Sequence, residues 1–493
     1  MTKKKTSFLR LLAVLIVLSQ AFSQTAVPAH LKKGLDAVSG LEAYEFVKTL
    51  ASPRFAGRLT GHEGYTVAAR WAAEKFRAWG LKPLGAGADG WLLPYSSPYT
   101  VIRKAEMTLV LPPTKEESEK GQNGRELQLT PEKEFLPLLF SASGVHTAEA
   151  VFAGWGISAP ELGYDDYAGL DVRGRFVFCF RGTPDGGKQF QFHDQHRTRM
   201  KVARDRGALG VIYIYADIAS NPNGDWLDGF TPAMVSEKAM DTVLQEMRTT
   251  AAELKKSLQT FKRPISFPLK TRVRLAVEAE HHPEGVGYNV AGFVPGSDPK
   301  LAGECVVIGG HFDHTGRHMG LLFPGADDNA SGSAAVMETA KAFAGTPKRP
   351  KRSVVFVLFG GEEMGLQGST HFANNLPAPF KKVDAMFNFD MVGEGDGIGG
   401  GVSAEPAGLR QAVEEAGKIT GGLRYLGVIR DLGVRGSDHA PFFALGVPVA
   451  GFHSTGPHLA YHQTGDTIYR INPDILAEAA RLAFLAAYAW ADR

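Results

Sequence analysis

The sequence predicts an α/β protein in which a helix-flanked sheet is interrupted by a β-rich inserted domain. Three observations predict it. From Tyr288 onward, apolar strand-like runs alternate with helical segments, the pattern of a sheet covered by helices. Between about Phe135 and Leu275 the texture changes to short β-rich runs separated by Gly- and Asp-rich turns. The length, 493 residues, exceeds what one hydrophobic core usually organises, so two or three domains are expected.

In chain order, the first element is an export signal. Lys3, Lys4, Lys5 and Arg10 precede the apolar run Leu11 to Leu18, and small residues follow at Ala21 and Ser23. This layout predicts a signal peptide over residues 1–23, cleaved after Ser23, and an exported protein, periplasmic or extracellular. The apolar run is too short for an anchor, and no later segment offers the roughly 20 apolar residues of a spanning helix. No stable membrane span is therefore expected after signal removal.

Leu41 to Trp79 reads as helical, with Ala69, Ala72, Ala73, Phe76 and Trp79 on one face and Gly80 as a stop. Phe176 to Phe180 and Gly210 to Tyr215 read as strands of the inserted domain. The later alternation runs through Cys305 to Gly309, Ser331 to Ala344, Val354 to Phe359 and Ala385 to Phe389, as strand, helix, strand and strand. A closing helix starts with Asn472 as N-cap and Pro473 at its first position, and turns Leu476, Ala479, Leu482, Ala483 and Ala486 inward. Residues 34–134 and 276–493 are thus expected to form one domain and 135–275 the insertion.

Charge excludes one class of partner. Lys plus Arg total 54 against 52 Asp plus Glu, without a long basic run, so no nucleic-acid partner is expected. Cys179 and Cys305 are the only cysteines and fall in different domains, so a disulfide framework does not hold the protein together.

Reactive residue types concentrate just after the strand-like runs, where open α/β sheets place their ligands. In Gly309-Gly310-His311-Phe312-Asp313, His311 can offer a ring nitrogen to a metal while Asp313, on the same side of an extended chain, holds the other nitrogen. Gly325-Ala326-Asp327-Asp328-Asn329-Ala330-Ser331-Gly332 brings two carboxylates into a sharp, small-residue turn before a helix. In Gly360-Gly361-Glu362-Glu363, neighbouring side chains diverge, so one carboxylate can bind metal while the other takes a proton from water. Asp390 follows the apolar run Ala385 to Phe389, and His462 lies in the polar loop Tyr461 to Thr467. Taken singly, each has a plain structural reading as a hydrogen-bonded pair, a helix start or a turn former. Together they supply two imidazoles, three ligand carboxylates and one spare carboxylate at one sheet edge. Nitrogen and oxygen ligands without thiolate suit two zinc ions bridged by a carboxylate, each left open to water or substrate.

These motifs, in this order, resemble the co-catalytic zinc aminopeptidases of metallopeptidase family 28, over roughly Tyr288 to Arg493. The resemblance implies a mixed central sheet flanked by helices, of the zinc-dependent exopeptidase (phosphorylase/hydrolase-like) type. It also implies two Zn(2+) ions and a peptide or protein substrate. Carried over residue by residue, it implies Asp327 as the bridging carboxylate, Glu363 and His462 at one ion, and His311 and Asp390 at the other. Glu362 becomes the general base, Asp313 orients His311, and Tyr461 is similar to the phenol that hydrogen-bonds the oxyanion. A cis peptide is expected at Asp327-Asp328. The insertion resembles a protease-associated (PA) domain, in which His193, Asp194 and His196 read as a polar loop shielding the cleft rather than another metal site. Ser437-Asp438-His439 resembles a segment lining that cleft, and Arg435 leaves recognition of a substrate carboxylate open. The reading implied is an aminopeptidase. The alternatives are a carboxypeptidase or a glutaminyl-cyclase-like enzyme of the same fold, or a receptor-like binding module without catalysis.

Overall fold

The computed structural model describes residues 27–493 apart from 88, 114, 122–123, 223 and 433–435. The expected signal segment 1–23 and Arg435 lie outside the described residues. Two sheets dominate, one of nine strands and one of eight. Each has hydrophobic clusters of its own.

The nine-stranded sheet is mixed. Its centre is parallel: Ser353–Phe359, Glu304–His311, Lys382–Phe389 and Val449–Ser454 lie side by side. Val286–Val294 and Ile398–Ser403 join antiparallel on either flank. All seven residues of Ser353–Phe359 are buried, because helices cover both faces of a parallel core and leave no side that tolerates polar residues. One face packs against the helices Gly332–Gly345 and Pro473–Ala491, with Phe343, Phe484 and Tyr488 interlocked. The other face is closed by Phe372, Phe380 and Phe442. The closing helix begins as expected: the Asn472 side chain accepts from the Asp474 amide at 3.0 Å, and Pro473 occupies the first turn.

The helical region expected from Leu41 to Trp79 is broken into three. A helix Gly40–Leu50, a tight turn Pro53–Arg58 and a helix Glu63–Ala78 follow one another. Pro53 disfavours helical backbone at Ser52, and Gly57 and Gly61 take φ of +71° and +84°. The interruption places Arg58 inside the protein, fully buried.

The second sheet starts earlier and ends later than composition suggested. Tyr99–Val110 pairs along Ser266–His282, so the eight-stranded sheet includes strands on both sides of the expected 135–275 insertion. Long alternating strands of this kind carry few Gly or Asp, and the turn-rich texture that marked the insertion misses them. Phe176–Phe180 and Gly210–Tyr215 form its parallel core, covered on both faces. Cys179 and Cys305 are buried free thiols in separate cores. No described helix is long and apolar enough to cross a membrane.

Candidate metal centre

The parallel strands deliver their ends to one edge. His311 is the last residue of Glu304–His311, Glu362 and Glu363 follow Ser353–Phe359, and Asp390 follows Lys382–Phe389. His462 reaches the same edge from the loop before the closing helix. This is the carboxyl edge at which open α/β sheets bind ligands.

Two groups of donor atoms meet there. His314, Asp328, Glu363 and His462 form one, and His311, Asp328 and Asp390 the other, with the donor atoms of each group within 4.8 Å of one another. Among the described residues these are the groups that can hold a metal ion. Asp328 belongs to both. Its Oδ1 lies 3.2 Å from His311 Nε2 and its Oδ2 3.0 Å from His462 Nε2. His311 Nε2 also lies 3.2 Å from Asp390 Oδ1, and Glu363 Oε2 lies 3.0 Å from His462 Nε2.

The expected bridge, Asp327, is elsewhere. Consecutive side chains in this turn point apart, and Asp327 faces away from the cluster. Its Oδ1 accepts the Gly393 amide at 2.8 Å and its Oδ2 pairs with His458 Nδ1. The shared carboxylate is therefore Asp328, one residue on. The non-proline cis peptide shifts by the same step, to Asp328-Asn329 rather than Asp327-Asp328.

The imidazoles are held from behind. The His311 Nδ1–H donates to the main-chain carbonyl of Asp313 at 3.3 Å, while the Asp313 carboxylate stands off at 3.8 Å. That carboxylate instead accepts the Glu362 amide at 3.3 Å, tying the strand end of His311 to the paired glutamates. The His462 Nδ1–H donates to the Ser220 carbonyl at 2.8 Å, and the His462 carbonyl accepts the Ser220 amide at 2.7 Å. The inserted unit thus fixes the orientation of His462 and leaves Nε2 aimed at Asp328 and Glu363. Tyr461 stacks on His462 with ring centres 3.9 Å apart and is half exposed, at the mouth of the pocket.

Two buried braces carry the acidic turn. Asp466 accepts the amides of Asp327 and Asp328 at 2.8 and 3.0 Å. Arg58 donates to the carbonyls of Phe312, Leu50, Pro324 and Gly325 at 2.7–2.9 Å. Burial lowers the Arg58 guanidinium to about 10, opposed by Asp466 and Asp313, and it stays charged. Neither residue nor His314 was singled out from the sequence. His314 lies three residues after His311, its Nδ1 2.8 Å from Glu363 Oε1.

The paired glutamates diverge in acidity as well as direction. Burial, reinforced by Asp390, Glu363 and Asp438 and opposed by His311, pushes the Glu362 carboxyl well above the usual carboxylate range. Glu363 is also buried, but His462 and the hydrogen bonds from His314 and His462 hold it at about 2. Such a split separates a group that moves protons from one that stays anionic. His314 Nε2, Asp328 Oδ2 and His462 Nε2 are buried without a well-aligned hydrogen-bond partner. Buried polar atoms of this kind require a partner, and a divalent cation fits imidazole nitrogens and carboxylates without thiolate.

The pocket opens on two sides. One cavity, about 510 Å³, is walled by Gly401, Ile429, Leu432, His439, Gly451 and Phe452 beyond the donor residues. Ser437, expected in this lining, is present and accepts from Asn388 Nδ2 at 2.9 Å. The other cavity, about 550 Å³, runs between Glu362, Glu363, Tyr461 and His462 and the inserted unit, including Asp194 and His196. His193 is turned to Glu161 at 2.9 Å, and among the described residues it joins no metal-type cluster.

Fold and site together define an α/β protein with two donor groups able to hold metal at the carboxyl edge of its sheet. The chain matches the model of peptidase family M28 over residues 289–487. It is 37% identical over 174 residues to leupeptin-inactivating enzyme 1 of Streptomyces exfoliatus, covering 34% of this chain and 36% of that protein. It is 31% identical over 220 residues to an aminopeptidase of Pseudomonas aeruginosa, covering 38% of each. The chain thus spans less than two-fifths of the length of these curated relatives. Among solved structures, BSAP, a zinc aminopeptidase from Bacillus subtilis, superposes with a TM-score of 0.61 at 20% identity, covering 92% of this chain and 96% of that one. That likeness of fold takes in the eight-stranded sheet as well as residues 289–487.

Proposed function

We propose that the protein is an exported metallopeptidase that holds two zinc ions and removes amino-terminal residues from peptides. The observation that carries this reading is the single Asp328 carboxylate facing two donor clusters, with the spare carboxylate Glu362 beside them. His311 and Asp390 hold one ion, Glu363 and His462 the other, and Asp328 both. His314 lies close enough to Glu363 and Asp328 to add a donor to the second site. When bound, the ions supply Lewis acidity to water and to the peptide carbonyl. Glu362, poised high, accepts a proton from the attacking water and returns it to the leaving amine. Tyr461, at the pocket mouth, donates its phenol to the developing oxyanion. Asp313 acts through two other groups, its carbonyl on His311 and its carboxylate on the Glu362 amide. The aminopeptidase named among the relatives supports attack at the amino end.

The basic, apolar and small-residue pattern of residues 1–23 supports export, and the eight-stranded inserted unit is assigned as a PA-type domain beside the cleft. The complete donor set disfavours both a single-zinc cyclase and a non-catalytic receptor. The test is product analysis by mass spectrometry on a mixed peptide library with zinc supplied. Stepwise loss of amino-terminal residues, abolished by a chelator, is expected. Trimming only from the carboxyl end, or none, would refute the reading.

A further inference from the structure

The cavity on the inserted-unit side of the pocket has a cationic far wall. Facing Glu362, Glu363, Tyr461 and His462 across about 550 Å³ are Arg181, Gln191, Asp194, Gln195 and Arg197. Arg181 follows the strand Phe176–Phe180, and Arg197 lies in the first turn of the helix His196–Asp205. Arg197 reaches directly over the turn that carries the paired glutamates. Its Nη2 lies 3.4 Å from the position a Cβ on Gly365 would take, within van der Waals contact, and Gly365 has φ of +97°, so a side chain there would be strained.

The charges on this wall do not balance. Asp194 lies 3.3 Å from Arg181 Nε but is already paired with Arg199 at 2.8 Å. Arg199 is itself consumed in structure, donating to the carbonyls of Trp155, Asp194 and Gly182. Asp225 lies 3.6 Å from Arg197, and each of these side chains is about half exposed. Three guanidinium groups therefore meet two carboxylates. The surplus faces the cavity, where Arg181 is about a quarter exposed and Arg197 nearly half.

If, in an amino-terminal cleavage, the apolar cavity with Ile429, Leu432 and Phe452 takes the first side chain, the leaving residue enters the cavity with the arginines. One residue of extended chain spans about 3.3–3.6 Å, so a carboxylate one or two residues past the cleaved bond falls inside a space of this size. We infer that Arg181 and Arg197 form a carboxylate subsite on the leaving-group side, which makes di- and tripeptides with a free carboxyl terminus the preferred substrates. This rests on the aminopeptidase reading. An acidic side chain on the leaving residue presents the same chemistry to the same guanidinium groups.

The test compares kcat/KM of the zinc-loaded full-length protein on Leu-Ala, Leu-Ala-amide and Leu-Asp-amide. Leu-Ala should exceed its amide by about tenfold or more, the order expected of a charge-assisted hydrogen bond. Arg197→Gln should draw that ratio toward one and Arg197→Glu should reverse it. A variant that folds poorly lowers both arms together and leaves the ratio intact, so the ratio reads the subsite alone. Preference for Leu-Asp-amide over Leu-Ala-amide would assign the subsite to an acidic side chain, and a preference confined to Leu-Ala assigns it to the chain terminus. Equal rates on all three by the wild type would overturn the subsite while the aminopeptidase reading stands. Hydrolysis of none would remove that reading and the subsite with it.

Discussion

Replacing Arg58 by Met tests whether a residue outside the donor set holds the metal centre in shape. Arg58 is fully buried and ties down three segments through its four carbonyl contacts of 2.7–2.9 Å, those of Leu50, Phe312, Pro324 and Gly325. Phe312 lies between His311 and Asp313, and Gly325 opens the turn of Asp328, so the contacts fix both sides of the site. Each hydrogen bond from a charged donor contributes about 1.5–3 kcal/mol, but four from one side chain are not additive. Met fills much of the volume and leaves four carbonyls and the buried carboxylates uncompensated. By analogy with breaking a buried ion pair, the cost is about 3–5 kcal/mol. At about 2–4 °C per kcal/mol for a domain of this size, the melting temperature falls by on the order of 10 °C. Scanning fluorimetry and urea unfolding of the metal-free protein measure it directly. Arg58→Lys keeps the charge and at most three donors, and should fall between. A melting shift under about 2 °C in Arg58→Met would refute the bracing role.

Two further predictions address the proton-moving group and the inserted unit. Glu362→Gln should retain bound zinc while kcat falls by at least about 10²–10⁴, the range for a lost acid–base group, and full activity in that variant would rule it out as the base. In the inserted unit, Asp166 accepts the amides of Trp155 and Ile157 and the phenol of Tyr164, and burial, only partly offset by these bonds, raises its carboxyl to about 7. Because the folded carboxyl binds its proton more tightly than the unfolded one, its contribution is complete below 3.8 and is lost as pH rises through about 7. The unfolding free energy of the wild type relative to Asp166→Asn should therefore decline between those values, and a flat difference by urea titration would contradict the assignment.

The strand ends were legible in the sequence because the two signals coincide there. Apolar runs fully buried in a parallel sheet stop abruptly, and His311, Glu362, Glu363 and Asp390 stand at or just past the stop. The choice between Asp327 and Asp328 was not legible, since adjacent residues in an irregular turn give no periodicity from which to tell the inward side chain. Only the contacts decide it: the Gly393 amide and His458 claim Asp327, and the imidazoles His311 and His462 claim Asp328. Arg58 and Asp466 act through main-chain atoms distant in sequence, which leave no motif. Ser220 holds His462 through its own backbone, so its side-chain identity carries no signal at all. His314 had one, a second imidazole three residues from His311, but a strand ending at His311 breaks the alternation that would have pointed it inward.

In the proposed site one carboxylate, Asp328, joins two zinc sites. Zinc content by elemental analysis of Asp328→Asn beside Asp327→Asn, each after removal of loosely bound metal, tests it most directly. Asp328→Asn should lose at least one of two equivalents while Asp327→Asn keeps both; two equivalents in Asp328→Asn, with loss instead in Asp327→Asn, would contradict it.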